Sequence, residues 1–391
     1  EKNAGYLMQT KLPETQGSSL WDMRQMAMEH QAIDMSVGVT EFSLPARLGE
    51  LASSVIRNQY NNYAPVAGCM SLREQVAARY FNRYGKRYSP VTEVTISAGP
   101  IQAISTAITA VVNEGDEVII FEPSYLTYGP AVRLNGGTPV HVPLKEPGFR
   151  VEWEDLRKMI TTRTRLIIIN TPHNPTGIVF SREDMLQLQR LTAGTGIYII
   201  SDETYECLSY DQDKHQSAGQ FEGLASRSFI VSSPGPVYHI NGWGLAWCLA
   251  PEAMTAEFRK IQEYQIVNVA YPLQQALAEY MEGEDSRDEI NEFYQGKRNY
   301  FNRLLKGSPY ILHPTQGSYF QLVSFSAISQ VPDTEFALRL LREGGVAAAP
   351  LSLFMHKKKS TPYLRFCFAK KNETLEEVAR RMIDVAAKAA F

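Results

Sequence analysis

Leu-Ile-Ile-Ile-Asn at 166–170, followed at once by Thr-Pro-His-Asn-Pro at 171–175, sets the fold class. An apolar run without polar alternation describes a strand covered on both faces, and the Pro and Asn residues behind it close the strand in a turn. Similar short runs stand at 94–97, 117–121, 197–201 and 229–232, mostly rich in Ile and Val. Two of them also end in turn formers, Ala-Gly-Pro at 98–100 and Glu-Pro-Ser at 122–124. Longer helical patterns separate the runs. Together they predict an α/β protein with a mostly parallel sheet, whose ligands bind at the carboxyl ends of the strands.

The last third reads differently. The stretch 287–305 is helical and charged, and the strands after it are short. Thr374 and Glu377 have capping-box spacing ahead of an apolar stripe of Leu375, Val378, Met382 and Val385. The expected division is a large domain over 50–280 and a smaller α+β domain formed by 1–49 with 281–391. The whole chain of 391 residues is 44% hydrophobic and 21% charged, which is ordinary for a soluble globular protein. A net charge of −3 gives no field to attract nucleic acid or an anionic membrane. Cys69, Cys207, Cys248 and Cys367 lack the spacing of a zinc or CxxC site, so they are expected as reduced core thiols with no metal. No run of about 18 apolar residues and no charged-then-apolar leader pattern is seen, so a cytoplasmic location is the expectation.

Seven segments, in order, then carry a resemblance. They are Ser-Val-Gly-Val-Thr-Glu-Phe around Gly38, Asn-Tyr-Ala-Pro at 62–65, Phe-Glu-Pro-Ser-Tyr at 121–125 and Asn-Thr-Pro-His-Asn-Pro-Thr-Gly at 170–177. Ser-Asp-Glu-Thr-Tyr-Glu at 201–206, Tyr-His-Ile-Asn-Gly-Trp at 238–243 and Leu-Arg-Phe-Cys-Phe-Ala-Lys-Lys at 364–371 complete the set. From Lys11 to the last helix the chain resembles class I aminotransferases, nearest to their methionine/glutamine and kynurenine branch. That resemblance implies the fold-type I architecture, with a seven-stranded type of sheet, and a pocket for pyridoxal phosphate (PLP). Asp202 then matches the carboxylate that keeps the cofactor's ring nitrogen protonated. Asn174 and Tyr205 match the donors to its phenolic oxygen, and Tyr125 matches the aromatic that stacks on the ring. Arg365 matches the fork that binds a substrate α-carboxylate, with Asn174 assisting and Gly38 beside the substrate.

Two elements of the family pattern are absent. Where the family reads Ser-x-x-Lys and then Tyr-His-x-x-Gly-Trp-Lys/Arg, this chain reads Ser233-Pro-Gly-Pro236-Val-Tyr-His239-Ile-Asn-Gly-Trp-Gly244. Pro236 therefore stands at the lysine that bonds the cofactor aldehyde, and Gly244 at the cation that pairs with its phosphate. The family's Gly-Ala-Thr/Ser turn reads Gly99-Pro100-Ile101. Pro100 starts a helix well but has no N–H for a phosphate, and Ile101 has no hydroxyl. Ser233 and Tyr63 remain as phosphate contacts, and neither is cationic. Three weakened charge-assisted contacts together exceed about 4 kcal/mol, roughly three decades of affinity. The missing lysine also removes the family's general base. Lys260, on an expected helix, reads as exterior.

Three readings follow. The first is an enzyme acting on a small aromatic or amino-acid-like carboxylate without covalent PLP. Tyr125 would stack on the ligand, Asp202 and Tyr205 would meet it, and His239 is the candidate base from its closeness in sequence to the old lysine slot. The second keeps PLP or pyridoxamine phosphate (PMP) bound non-covalently. The third is an inactive binding or regulatory homologue. A nicotinamide enzyme is disfavoured because no GxGxxG follows a strand. The resemblance also implies a homodimer, with Tyr63 reaching into the neighbouring subunit.

Overall fold

The structure is a computed structural model that describes residues 10–12, 19–58, 60–212, 214–282 and 287–389. The strands run β1 (Ile33–Asp34), β2 (Val94–Ser97), β3 (Glu117–Glu122), β4 (Thr138–Pro143), β5 (Thr164–Asn170), β6 (Tyr198–Asp202), β7 (Ser228–Ser232) and β8 (Ala246–Leu249). They continue as β9 (Ile311–Leu312), β10 (Phe320–Ser324), β11 (Val346–Ala347), β12 (Ala349–Pro350) and β13 (Tyr363–Cys367). Seven of them form one sheet in the order β2-β8-β7-β6-β5-β3-β4. Strands β4, β3, β5, β6 and β7 are mutually parallel, while β8 runs antiparallel to both β7 and β2. The sheet is thus mixed by one strand, and the expected α/β class holds.

The unalternating apolar runs are buried as such strands must be. Ile167, Ile168 and Ile169 are each at most 2% exposed, because helices cover both faces of the sheet. The parallel strands all deliver their carboxyl ends to one edge. Because β8 is antiparallel, its amino-terminal end arrives at that same edge, and β2 ends there too. A second, antiparallel sheet has the order β12-β13-β10-β9, and β1 pairs with β11. In β13, Arg365 lies opposite Leu322 of β10 and Ala349 of β12, so it sits in the interior of the sheet.

The helix expected from 287 is Arg287–Leu304. The final helix is Asn372–Ala389, with Leu375, Val378, Met382 and Val385 all fully buried. The capping-box reading of Thr374 and Glu377 is corrected. The helix begins earlier, the Thr374 hydroxyl donates to Glu41 Oε2 at 2.8 Å, and the Glu377 carboxylate accepts from Arg380 and Arg381. The division expected at 280/281 adjoins residues 283–286, and the leader reading rests on residues 1–9. Both stretches lie outside the described residues. Among the described residues no helix is long and apolar enough to cross a membrane.

The turn ahead of the helix Met70–Tyr84 packs against β2 through Gly68. Its φ is +89°, its N–H donates to the Pro65 carbonyl at 2.8 Å, and an added Cβ would lie 2.4 Å from Ile96 Cγ1 in the core. Both the backbone conformation and the space demand glycine. Gly68→Ala is expected to cost about 2–4 kcal/mol of stability, read as a lowered urea midpoint.

Candidate functional site

Along the shared edge, between the seven-stranded sheet and Arg365, lies a cavity of about 520 Å³. Its floor is Asp202, the last residue of β6. Parallel register places Asp202 beside Asn170, whose Nδ2 donates to the Asp202 carbonyl at 2.9 Å while its Oδ1 accepts from the Asn174 amide at 2.8 Å. Asp202 Oδ1 accepts from the Thr204 hydroxyl at 2.6 Å and its amide at 3.1 Å, and Oδ2 accepts from the Tyr128 hydroxyl at 2.5 Å. Burial pushes the Asp202 pKa up even though these donors oppose it. Tyr125, in the turn after β3, lines the cavity and meets Tyr128 edge-on with ring centroids 6.0 Å apart.

A chain of hydroxyls and amides closes one wall. Tyr205 donates to Tyr319, and Tyr319 in turn donates to the Gly38 carbonyl at 3.3 Å. Asn241 Nδ2 reaches both the Tyr319 oxygen at 3.2 Å and the Gly38 carbonyl at 3.3 Å. Burial raises the pKa of both tyrosines, so they stand as neutral hydroxyls. An added Cβ on Gly38 would come within 3.2 Å of Tyr319 and Phe320, and glycine keeps this wall open.

Arg365 is 1% exposed. Its Nη1 donates to Asn174 Oδ1 at 2.6 Å, its Nη2 donates to the Ser36 carbonyl, and its guanidinium carbon stands 3.9 Å from the Phe320 ring and 4.6 Å from Phe354. Nε is buried without an acceptor, and among the described residues no carboxylate pairs with this guanidinium. Burial lowers its pKa to about 10, leaving it cationic at neutral pH.

The other end of the cavity is built from β2, β7 and β8. Ser233 Oγ donates to the Leu245 carbonyl at 2.8 Å and accepts from the Gly235 amide at 3.1 Å, so this hydroxyl is occupied within the chain. Pro236, in the short helix Gly235–Tyr238, is buried in the cavity wall. Gly244 has φ +61°, and an added Cβ there would meet nothing within 4 Å. The helix Pro100–Val111 opens at Gly99 without a side-chain cap, and Ile101 is half exposed at the cavity. Among the described residues no lysine lines this space. Lys260 is an exterior residue paired with Glu257 at 2.6 Å, and the buried Lys370 donates to the Val39 carbonyl at 2.9 Å.

The structure therefore gathers Gly38, Tyr125, Asn174, Asp202, Tyr205, Ser233 and Arg365 around one cavity, together with Pro100, Ile101, Pro236 and Gly244. It does not bring His239 there. His239 sits in a left-handed turn (φ +57°) that aims its ring at Phe42, Phe293 and Tyr294, with Nδ1 against the Ser43 carbonyl at 3.2 Å. Burial in that aromatic cluster lowers its pKa, and its reading as a base in the pocket is withdrawn. Tyr63 does not line the cavity of its own chain and is 77% exposed. Sequence reasoning missed Tyr128, Ser36, Tyr319 and Asn241. Only Tyr128 left a usable signal, three residues beyond Tyr125 at the spacing of one helical turn.

A mixed seven-stranded sheet with its site at the strand ends and a buried arginine facing it from a second sheet is the aminotransferase arrangement. Comparison with known proteins agrees. The family aminotransferase class I and II matches residues 31–382, and the chain belongs to it. It is 39% identical to a methionine aminotransferase of Escherichia coli, covering 97% of this chain and 99% of that one. The solved structure of an Escherichia coli protein with methionine aminotransferase function superposes with a TM-score of 0.94 over 97% of this chain and 99% of that one, at 38% identity. A probable N-succinyldiaminopimelate aminotransferase of Mycobacterium tuberculosis is 30% identical, over 94% and 96% of the two chains.

Tyr128 gives the floor a test. Burial raises the Asp202 pKa in the folded state, so stability falls as pH rises from the ordinary carboxylate value up to the raised folded one, and the Tyr128 hydrogen bond offsets part of that cost. Tyr128→Phe should therefore destabilise the protein by about 1–3 kcal/mol near neutral pH. Urea denaturation at lower pH should show the deficit shrinking as Asp202 takes up a proton.

Proposed function

We propose that this aminotransferase-fold protein binds and acts on a small amino-acid-like or aromatic carboxylate without holding PLP through a lysine. One observation carries the reading. Among the described residues the cavity contains a fully buried arginine with an unused donor and no counter-ion, and no lysine faces it. An uncompensated buried cation draws an anion into its cavity. PLP fits the family, and the ring-facing residues Tyr125, Asn174, Asp202 and Tyr205 are of the right types for it. The phosphate end does not fit. Pro236 offers no amine, Gly244 no cation and Pro100 no N–H, and the Ser233 hydroxyl is already engaged.

On this reading Arg365 takes the carboxylate, with Asn174 fixing the guanidinium, and Tyr125 covers the ligand from the β3 side. Asp202 and the Tyr205–Tyr319 pair are the groups placed to hold or move a proton. The protein is proposed to work in the cytoplasm, with neither nucleic acid nor membrane as a partner. A homodimer is part of the proposal, supported by the exposed Tyr63, Tyr264 and Val267 (70–89% exposed).

The test is to incubate the purified protein with PLP, reduce it with borohydride, desalt, and map the peptides. The expected result is free PLP only, with no pyridoxyl-lysine. A reduced adduct on any lysine would restore the conventional mechanism, and cofactor retained through desalting without an adduct would favour non-covalent PLP or PMP. Ligand binding with no turnover of any acid would favour an inactive binding homologue.

A further inference from the structure

Three side chains far apart in the sequence, Glu122, His141 and His356, meet at the outer edge of the seven-stranded sheet, away from the cavity. The ladder between β3 and β4 brings the first two together. His141 is paired with Ile120, so Glu122, two residues further along β3, projects to the same face as His141. His356 arrives behind β12, beyond the short helix Leu351–Phe354, which docks on the end of β3. There the Ser124 amide donates to the Phe354 carbonyl at 2.9 Å, and the His356 amide donates to Glu122 Oε1. The two imidazole rings stack, with centroids 4.1 Å apart and planes 6° from parallel. His356 Nδ1 lies 2.9 Å from Glu122 Oε2, and His141 Nδ1 lies 3.7 Å from Glu122 Oε1. One ligand atom from each of the three residues falls within 4.8 Å of the other two.

We propose that Glu122, His141 and His356 form a zinc site. Ligand atoms about 2.0–2.2 Å from a tetrahedral Zn²⁺ stand about 3.3 Å from one another. The observed separations of 2.9 and 3.7 Å bracket that spacing. Two imidazoles and one carboxylate are the donor set of a borderline transition ion, whereas Mg²⁺ and Ca²⁺ take oxygen. The exposed run Lys357–Lys359 beside His356 opposes every cation alike, so binding has to come from the nitrogen donors. Glu122 and His141 are largely buried, while the His356 side chain is 31% exposed, so the ion enters from the His356 side. It replaces the proton between His356 Nδ1 and the carboxylate, which passes to solvent, and its fourth position is left to water. A second cluster, Glu203, Glu206 and His215, is filled by the chain itself. Arg83 lies 3.6 Å from Glu206, and Glu203 accepts from the Ser201 hydroxyl and the Ala218 amide. Zinc at Glu122 ties the edge of the large sheet to the segment bearing Phe354, whose ring covers the Arg365 guanidinium at 4.6 Å.

In the test, the full chain is stripped with EDTA, desalted and titrated calorimetrically with zinc chloride. One ion per chain is the expected result, with magnesium chloride giving no heat of binding. His356→Gln, at an exposed position, should weaken zinc by about tenfold or more, and Glu122→Gln should do the same. His30→Gln, exposed at the end of the helix Leu20–Glu29, should leave the affinity unchanged. Circular dichroism of each variant checks that the fold is kept. Loading with Co²⁺ gives a second readout, a visible band of a nitrogen- and oxygen-ligated ion without the near-ultraviolet band of a thiolate ligand. No zinc uptake by the parent protein, uptake unchanged in H356Q, or a cobalt–thiolate band overturns the proposal.

Discussion

A guanidinium at 1% exposure is costly to bury, and the arrangement of this molecule around Arg365 is the response to that cost. The side chain comes from the middle of the antiparallel sheet. Its acceptors come from elsewhere: Asn174 from the turn after β5, and the Ser36 carbonyl from the segment after β1. Two aromatic rings close its faces. Three parts of the chain must therefore dock correctly before the charge is solvated by protein. What is left over, Nε among its free donors and no counter-ion among the described residues, is what makes the space beside it a site.

The fold was legible because parallel strands write themselves as continuous apolar runs. The runs at 94–97, 166–170 and 229–232 agree with strands to within two residues at each end. The lone antiparallel member, β8, was not foreseen, since Ala-Trp-Cys-Leu carries nothing in its composition that fixes direction. On the site, residues held by the ends of strands were readable because motif and strand end coincide, as at Asp202 and Asn174. Ser36 was invisible because it acts through a main-chain carbonyl, which every residue has. Asn241 and Tyr319 were invisible because their meeting depends on two sheets packing across a gap of 78 residues. His239 misled for the opposite reason. It is three residues from Pro236, yet one left-handed turn sends its ring into an aromatic cluster instead of the cavity.

The cavity gathers several groups that local rules alone would not place there. Gly244 holds a positive φ beside open space, where no packing demands a small residue. Asp202 is a buried carboxylate kept in place by a tyrosine and a threonine, without a cation. Among the described residues Arg365 has no counter-ion. Elsewhere buried polar groups are shared within the chain, Glu203 with His215 at 2.9 Å and Arg73 with the Gly68 and Pro90 carbonyls at 3.1 and 2.6 Å. Such a concentration of unbalanced groups belongs to a surface meant to be completed by something else.

The order of strands gives these differences a geography. Pro100 follows β2, Pro236 follows β7 and Gly244 precedes β8, three neighbours at one side of the sheet. Tyr125 follows β3, Asn174 follows β5 and Asp202 ends β6, three neighbours at the other. The two territories touch at the β6–β7 ladder, whose backbone hydrogen bonds are indifferent to side-chain identity. A floor so partitioned is a mosaic: side chains in either half can be exchanged while the backbone ladder of the sheet beneath stays undisturbed.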